Sequence, residues 1–140
     1  FSRMADNSKI VLRWELGDIT TAFATGKADS GVFNEGGFIW TATSEKLNFD
    51  IEYAQFTLHC DSDHTGPWFC NASVQMFVIN SIGTLGNCPL LHVQRSTNMF
   101  NEESPDFEYP LIQWPSLTQP MLIDSNNKVT LEFHIKRPAR

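Results

Sequence analysis

Charge is scarce in this chain, and positive charge most of all. Asp, Glu, Lys and Arg make up 19% of its 140 residues, with 10 Lys and Arg against 16 Asp and Glu. The resulting formal net charge of −6 disfavours nucleic acid and anionic membranes as partners, because both recruit proteins through basic patches. No apolar run approaches the ~20 residues that cross a bilayer as a helix. Cysteine is also sparse, with Cys60, Cys70 and Cys88 as the full set. An odd and thin set does not suit a secreted disulfide scaffold, which is denser and even-numbered. Cys60 and Cys70 could bridge across a hairpin, but reduced, half-buried thiols are the expected state. The sequon Asn71-Ala72-Ser73 falls inside a predicted strand and is discounted. These scarcities favour the cytoplasm or nucleus.

What the chain has is aromatic and apolar mass. Eleven Phe, four Trp and a 41% apolar fraction argue for a folded chain rather than a disordered one. The length fits one domain with a single sizeable core. Phe1-Ser2-Arg3 reads as a non-native remnant ahead of Met4, and no secretory signal pattern follows it. The expected organisation is therefore a remnant and tail over 1–8, a domain over 9–136, and a linker starting at 137–140.

The stretch 30–43 organises the reading. Phe33, Phe38 and Trp40 flank Asn34-Glu35-Gly36-Gly37, and two adjacent glycines permit the positive φ of a sharp reversal. Phe38, Trp40 and Ala42 then alternate with Ile39, Thr41 and Thr43, the period of a strand. Upstream, 9–16 reads as a first strand with Ile10, Leu12 and Trp14 on one face, broken by Gly17. Asp18 caps a short helix through 19–24, pinned by Ile19 and Phe23 and stopped at Gly26. Residues 27–31 and 44–50 read as polar connections.

A third strand spans 51–60, with Phe56, Leu58 and Cys60 inward. The segment 61–67 is a turn marked by Gly66-Pro67, and a fourth strand spans 68–80. A glycine-bearing loop over 81–87 leads to a weaker strand at 89–95. Pro105, Pro110, Pro115 and Pro120 forbid long ladders through 96–120, so that segment is expected as an ordered loop with short edge strands. Finally, Val129, Leu131, Phe133 and Ile135 point inward from a clean terminal strand. About seven to eight short strands give an all-β antiparallel sandwich.

The order of these features resembles the MATH domain, the meprin and TRAF homology module. Trp14 and the turn from Ile19 to Phe23 match its opening. Ser30, Phe33, Gly36, Gly37 and Trp40 match its serine, phenylalanine, glycine corner and aromatic strand. Tyr53 to Cys60 is similar to its tyrosine-led strand, and Phe77-Val78-Ile79-Asn80 with Gly83 to its strand ending before a glycine hairpin. Leu122-Ile123-Asp124 through Ile135 matches its close. The tryptophan-glycine that the family commonly carries before a late strand is absent, and Asp106-Phe107-Glu108-Tyr109-Pro110 stands there instead.

The resemblance implies a TRAF/MATH-like sandwich that binds extended peptide segments of partner proteins in a shallow groove on one sheet. It further implies the substrate-recognition part of a cullin-type ubiquitin ligase adaptor. The coupling would run through another domain, BTB in many members of the family, beyond the basic 136–140 segment. Carried over by position, the groove uses the outward side chains Thr57, His59, Val74 and Met76 together with Met99, Phe100, Asp106 and Phe107. The known receptor members have tyrosine and phenylalanine where this chain has Thr57 and Val74, which speaks against their serine/threonine-rich peptide motif here. No coiled-coil heptad precedes the first strand, so a monomer is expected.

Four other readings stand beside this one. Cys60, His64 and Cys70, with Asp61 or Asp63, could ligate zinc. That spacing is not a zinc signature and no Cys-x-x-Cys knuckle supports it, so neither metal nor cofactor is expected. A Cys-His nucleophile pair lacks a helix N-terminus or oxyanion-hole glycines beside it, and no enzyme activity is expected. Exposed Trp68 or Trp114 could stack on sugars in a carbohydrate-binding sandwich, and a purely scaffolding role is the remaining alternative.

Overall fold

Alternating apolar positions along the chain become strands, and the strands bury their apolar sides against one another. The computed structural model describes residues 2–4, 10–18, 27–48, 52–79, 96–113 and 128–137. Its strands are β1 (Ser2–Met4), β2 (Ile10–Asp18), β3 (Lys27–Glu35), β4 (Phe38–Asn48), β5 (Glu52–Ser62), β6 (Phe69–Ile79), β7 (Ser96–Asn101), β8 (Asp106–Glu108), β9 (Ile112–Gln113) and β10 (Lys128–Lys136). The first sheet has the order β1-β2-β10-β6-β7, and the second runs β3-β4-β5-β8 with β9 also on β5. All pairings are antiparallel.

The two sheets face each other across a core drawn from both. Leu12, Val74, Met76, Phe100, Leu131 and Phe133 of the first sheet and Trp40, Ala42, Phe56, Leu58 and Cys60 of the second are buried together. Trp40 meets Phe100 edge-on at a centroid distance of 5.4 Å. Tyr109, just past β8, packs on Phe133 at 5.9 Å. Such offset and edge-on contacts add to the area that the rings bury. The all-β, two-sheet antiparallel arrangement expected from the sequence is what these residues form. The inward sets Ile10, Leu12, Trp14 and Val129, Leu131, Phe133, Ile135 are buried as expected.

The 30–43 stretch sets local geometry in two ways. Gly36 and Gly37 have φ of 62° and 84° between the paired residues Glu35 and Phe38, the backbone signature of a two-residue type I′ hairpin. Further back, the ladder shifts between Asp29 and Val32, so Ser30 and Gly31 together oppose Ala42 in a bulge. Gly31 takes φ of 77° there. The Ala42 N–H, displaced from the ladder, donates to Ser30 Oγ at 2.9 Å. Gly31 N–H donates to Asp29 Oδ1 at 2.7 Å.

Several boundaries differ from the sequence reading. Gly17 does not end the first strand: β2 runs to Asp18, which pairs with Lys128. Residues 27–31 and 44–48, expected as polar connections, lie in β3 and β4, because cross-strand pairing outweighs their polar composition. Residues 96–101 form a full strand against β6, whereas β8 and β9 are the short edge strands expected. Ser2–Met4 pairs with β2, so the first sheet reaches into residues expected in the N-terminal tail. The helix over 19–24, the 81–87 loop, the strand at 89–95, Cys88 and Trp114 lie outside the described residues.

Candidate binding face

Sheet pairing places outward residues in rows across the second sheet. Val32, Thr41, His59 and Asp106 stand side by side on β3, β4, β5 and β8, and Asp29, Thr43, Thr57 and Glu108 form the next row. β8 is held in place at both ends. Cys60 N–H donates to Pro105 O, and Tyr109 N–H donates to Phe56 O, each at 2.9 Å. Before it, Asn101 Oδ1 accepts from the N–H groups of Glu103 and Ser104 at 2.9 and 2.7 Å, which turns the chain from β7 in the first sheet to β8 in the second. Pro105 and Pro110 bracket β8 and keep it short, as proline does at a sheet edge.

On this face His59 Nδ1 and Asp106 Oδ1 share a hydrogen bond of 2.5 Å, with the two side chains 40% and 52% exposed. At that exposure the pair adds little to stability and is free to meet a ligand. Val32 is 68% exposed in the same row. Around them stand the carboxylates of Asp29, Glu45, Asp61 and Glu108, and Lys27 of β3 pairs with Glu45 toward one end of the sheet. Around His59 and Asp106 carboxylates therefore outnumber cationic positions, with one exposed apolar side chain at the margin.

The opposite outer face differs. Val11, Glu132 and His134 point outward from β2 and β10 yet are buried. Glu132 Oε2 accepts from Arg13 Nε and Nη2 at 3.0 and 2.6 Å, and Glu132 Oε1 lies 3.1 Å from His134 Nε2. The His134 hydrogen bond, with Arg13 adding to it, holds the Glu132 carboxyl below the usual carboxylate range. The His134 ring also packs on Phe77 at 4.6 Å.

The eight residues expected from sequence do not form one cluster. Thr57, His59 and Asp106 come together on the outer face of the second sheet. Val74, Met76 and Phe100 are wholly buried, which corrects the expected outward orientation of Val74 and Met76. Along β6 the apolar Cys70, Ala72, Val74 and Met76 alternate with the polar Asn71, Ser73 and Gln75, so the two-residue period itself puts Val74 and Met76 on the core side; their expected outward placement comes from carrying the groove over by position. Phe107 opposes Leu58, points toward the core, and packs edge-on against Tyr109 at 4.9 Å. Met99 is exposed, but it stands on the outer face of the first sheet, away from His59. Sequence reasoning missed Val32, Thr41 and Glu108, because their places depend on the bulge at Ser30-Gly31 and on which strand β8 joins.

The other chemical clusters are also placed. His64 lies beside Asp63, with Nε2 to Oδ1 at 3.4 Å on the exposed turn, while Cys60 and Cys70 are buried free thiols. Among the described residues no group of three or more His, Cys, Asp or Glu side chains is placed to hold a metal ion. Trp68 packs against Phe38 at 6.0 Å and is half-buried. Among the described residues no helix is long and apolar enough to cross a membrane. No protein-family model matches the chain, and no curated protein matches it.

Proposed function

We propose that the chain is a MATH-type interaction domain that binds extended peptide segments of partner proteins on the outer face of its second sheet. The observation that carries this reading is the Val32-Thr41-His59-Asp106 row, which ends at β8, a three-residue edge strand. No strand among the described residues pairs with the far edge of β8. An extended peptide laid along such an edge gains main-chain hydrogen bonds, and the side chains beside it set specificity. The acidic surroundings favour a segment carrying Lys or Arg, since complementary charge steers and selects partners. The order of sequence features that resembles the MATH family supports the same reading, as does the two-sheet architecture. By that resemblance the domain serves as the substrate-recognition part of a cullin-type ubiquitin ligase adaptor in the cytoplasm or nucleus, without an enzymatic activity of its own.

The test is to pan a library of linear peptides against the immobilised domain and titrate the enriched sequences. Enrichment of basic residues is expected. His59→Ala and Asp106→Ala should each weaken binding about five- to tenfold, equivalent to about 1–1.4 kcal/mol. Enriched peptides whose affinity ignores both substitutions would place the binding surface elsewhere.

A further inference from the structure

Cys60 and Cys70 occupy a junction of the two sheets that the peptide-binding reading does not use. Cys60 near the end of β5 opposes Trp40 on β4, and Cys70 near the start of β6 opposes Phe100 on β7. Trp40 and Phe100 touch across the sandwich, so each cysteine flanks one side of the same inter-sheet contact. The chain passes from β5 to β6 through the exposed turn at 63–67, which brings the two strand ends to the same end of the sandwich. The Cys60 thiol donates to the Asp61 carbonyl oxygen at 3.7 Å, and the two thiols are close enough that each perturbs the other's protonation. Their interaction holds the Cys60 thiol up and the Cys70 thiol down; burial opposes the shift at Cys70, and the Arg137 charge favours its thiolate. Arg137 is held nearby with its guanidinium 4.7 Å over the Phe38 ring. A thiolate beside a cation is the form that attacks disulfides.

We propose that Cys60 and Cys70 are a redox pair that closes reversibly into an inter-sheet disulfide by exchange with a low-molecular-weight disulfide. The Cys70 thiolate attacks one sulfur of that disulfide; its S–S bond breaks, and one thiol leaves with the proton released from Cys70. The Cys60 sulfur then gives up its proton and attacks Cys70 Sγ in the mixed disulfide, releasing the second thiol. Two protein thiols are oxidised and one external disulfide is reduced, a two-electron exchange. Both sulfurs are buried, so exchange waits on local opening of the strand ends beside the exposed turn. Sandwich folds elsewhere place an inter-sheet disulfide against a buried tryptophan, and here Trp40 holds that position relative to Cys60.

The full chain equilibrated in glutathione buffers of graded redox poise, then alkylated, digested and mapped by mass spectrometry, tests this directly. The expected product is a peptide pair joined through Cys60 and Cys70, with an intact mass lower by two hydrogens and free thiols falling from three to one. The oxidised form should melt several degrees higher and return to its starting state on reduction. Cys88→Ser should leave the cross-link intact, and Cys70→Ser should abolish it. The wild-type map decides alone if Cys70→Ser does not fold. A cross-link through Cys88, a persisting mixed disulfide, or three free thiols in excess glutathione disulfide would each overturn the proposal.

Discussion

Glu132 shows how a single residue gains its properties from its neighbours. It is 4% exposed on the outward side of β10, where a lone carboxylate would be costly. Hydrogen bonds from His134 and Arg13 offset that cost and depress its pKa from the usual 4.5. Because the folded value is the lower one, its contribution to stability is complete above about pH 4.5 and is lost as pH falls through the folded pKa. Glu132→Gln should therefore flatten the acid limb of the stability–pH curve, read as urea midpoints between neutral pH and pH 3. At neutral pH it should cost about 3 kcal/mol, near the low end for breaking a buried pair, since Arg13 keeps some solvent. An unchanged acid limb would remove Glu132 from this role. Gly37 offers a backbone test at the same scale. Its φ of 84°, and His64 Nε2 only 3.4 Å from where a Cβ would sit, predict that Gly37→Ala costs about 1–2 kcal/mol, measurable by thermal melting.

At the scale of elements, the strands with a plain two-residue period are legible from sequence. β10 and β5 bury the sides expected, because each alternates apolar with polar side chains. On β6 the same period, Cys70, Ala72, Val74 and Met76 against Asn71, Ser73 and Gln75, points Val74 and Met76 inward, and the groove carried over by position from the family resemblance is what misplaces them. The first part of β3, 27–31, and the far part of β4 read as polar connection because their ladders, rather than their composition, make them strands. The candidate site is legible only in its β5 part, Thr57 and His59, and at Asp106. Val32 and Thr41 join them through a bulge whose hydrogen bond to Ser30 Oγ no periodicity reveals. Strand β4 also carries the main packing prediction. Trp40 is wholly buried against Phe100, so Trp40→Ala should cost about 3–5 kcal/mol, with peptide binding lost only as the domain unfolds. Binding lost at full stability, by calorimetry and titration of the same sample, would instead make Trp40 part of the recognition surface.

For the whole molecule, the two outer faces have different characters. The centre of the first sheet's outer face is buried around Glu132 and His134, while the second sheet presents an exposed, acidic row that ends at the β8 edge. That asymmetry is the ground for proposing peptide binding at the second sheet, and it separates the proposed contact residues from the core that supports them. The most direct test is to map the binding of a library-selected, lysine- or arginine-bearing peptide by backbone amide chemical shifts. The account predicts shifts centred on Thr41, Thr57, His59 and residues 106–108, diminished by Asp106→Ala and by high salt. Shifts centred instead on Met99 and Phe69, on the outer face of the first sheet, would contradict it.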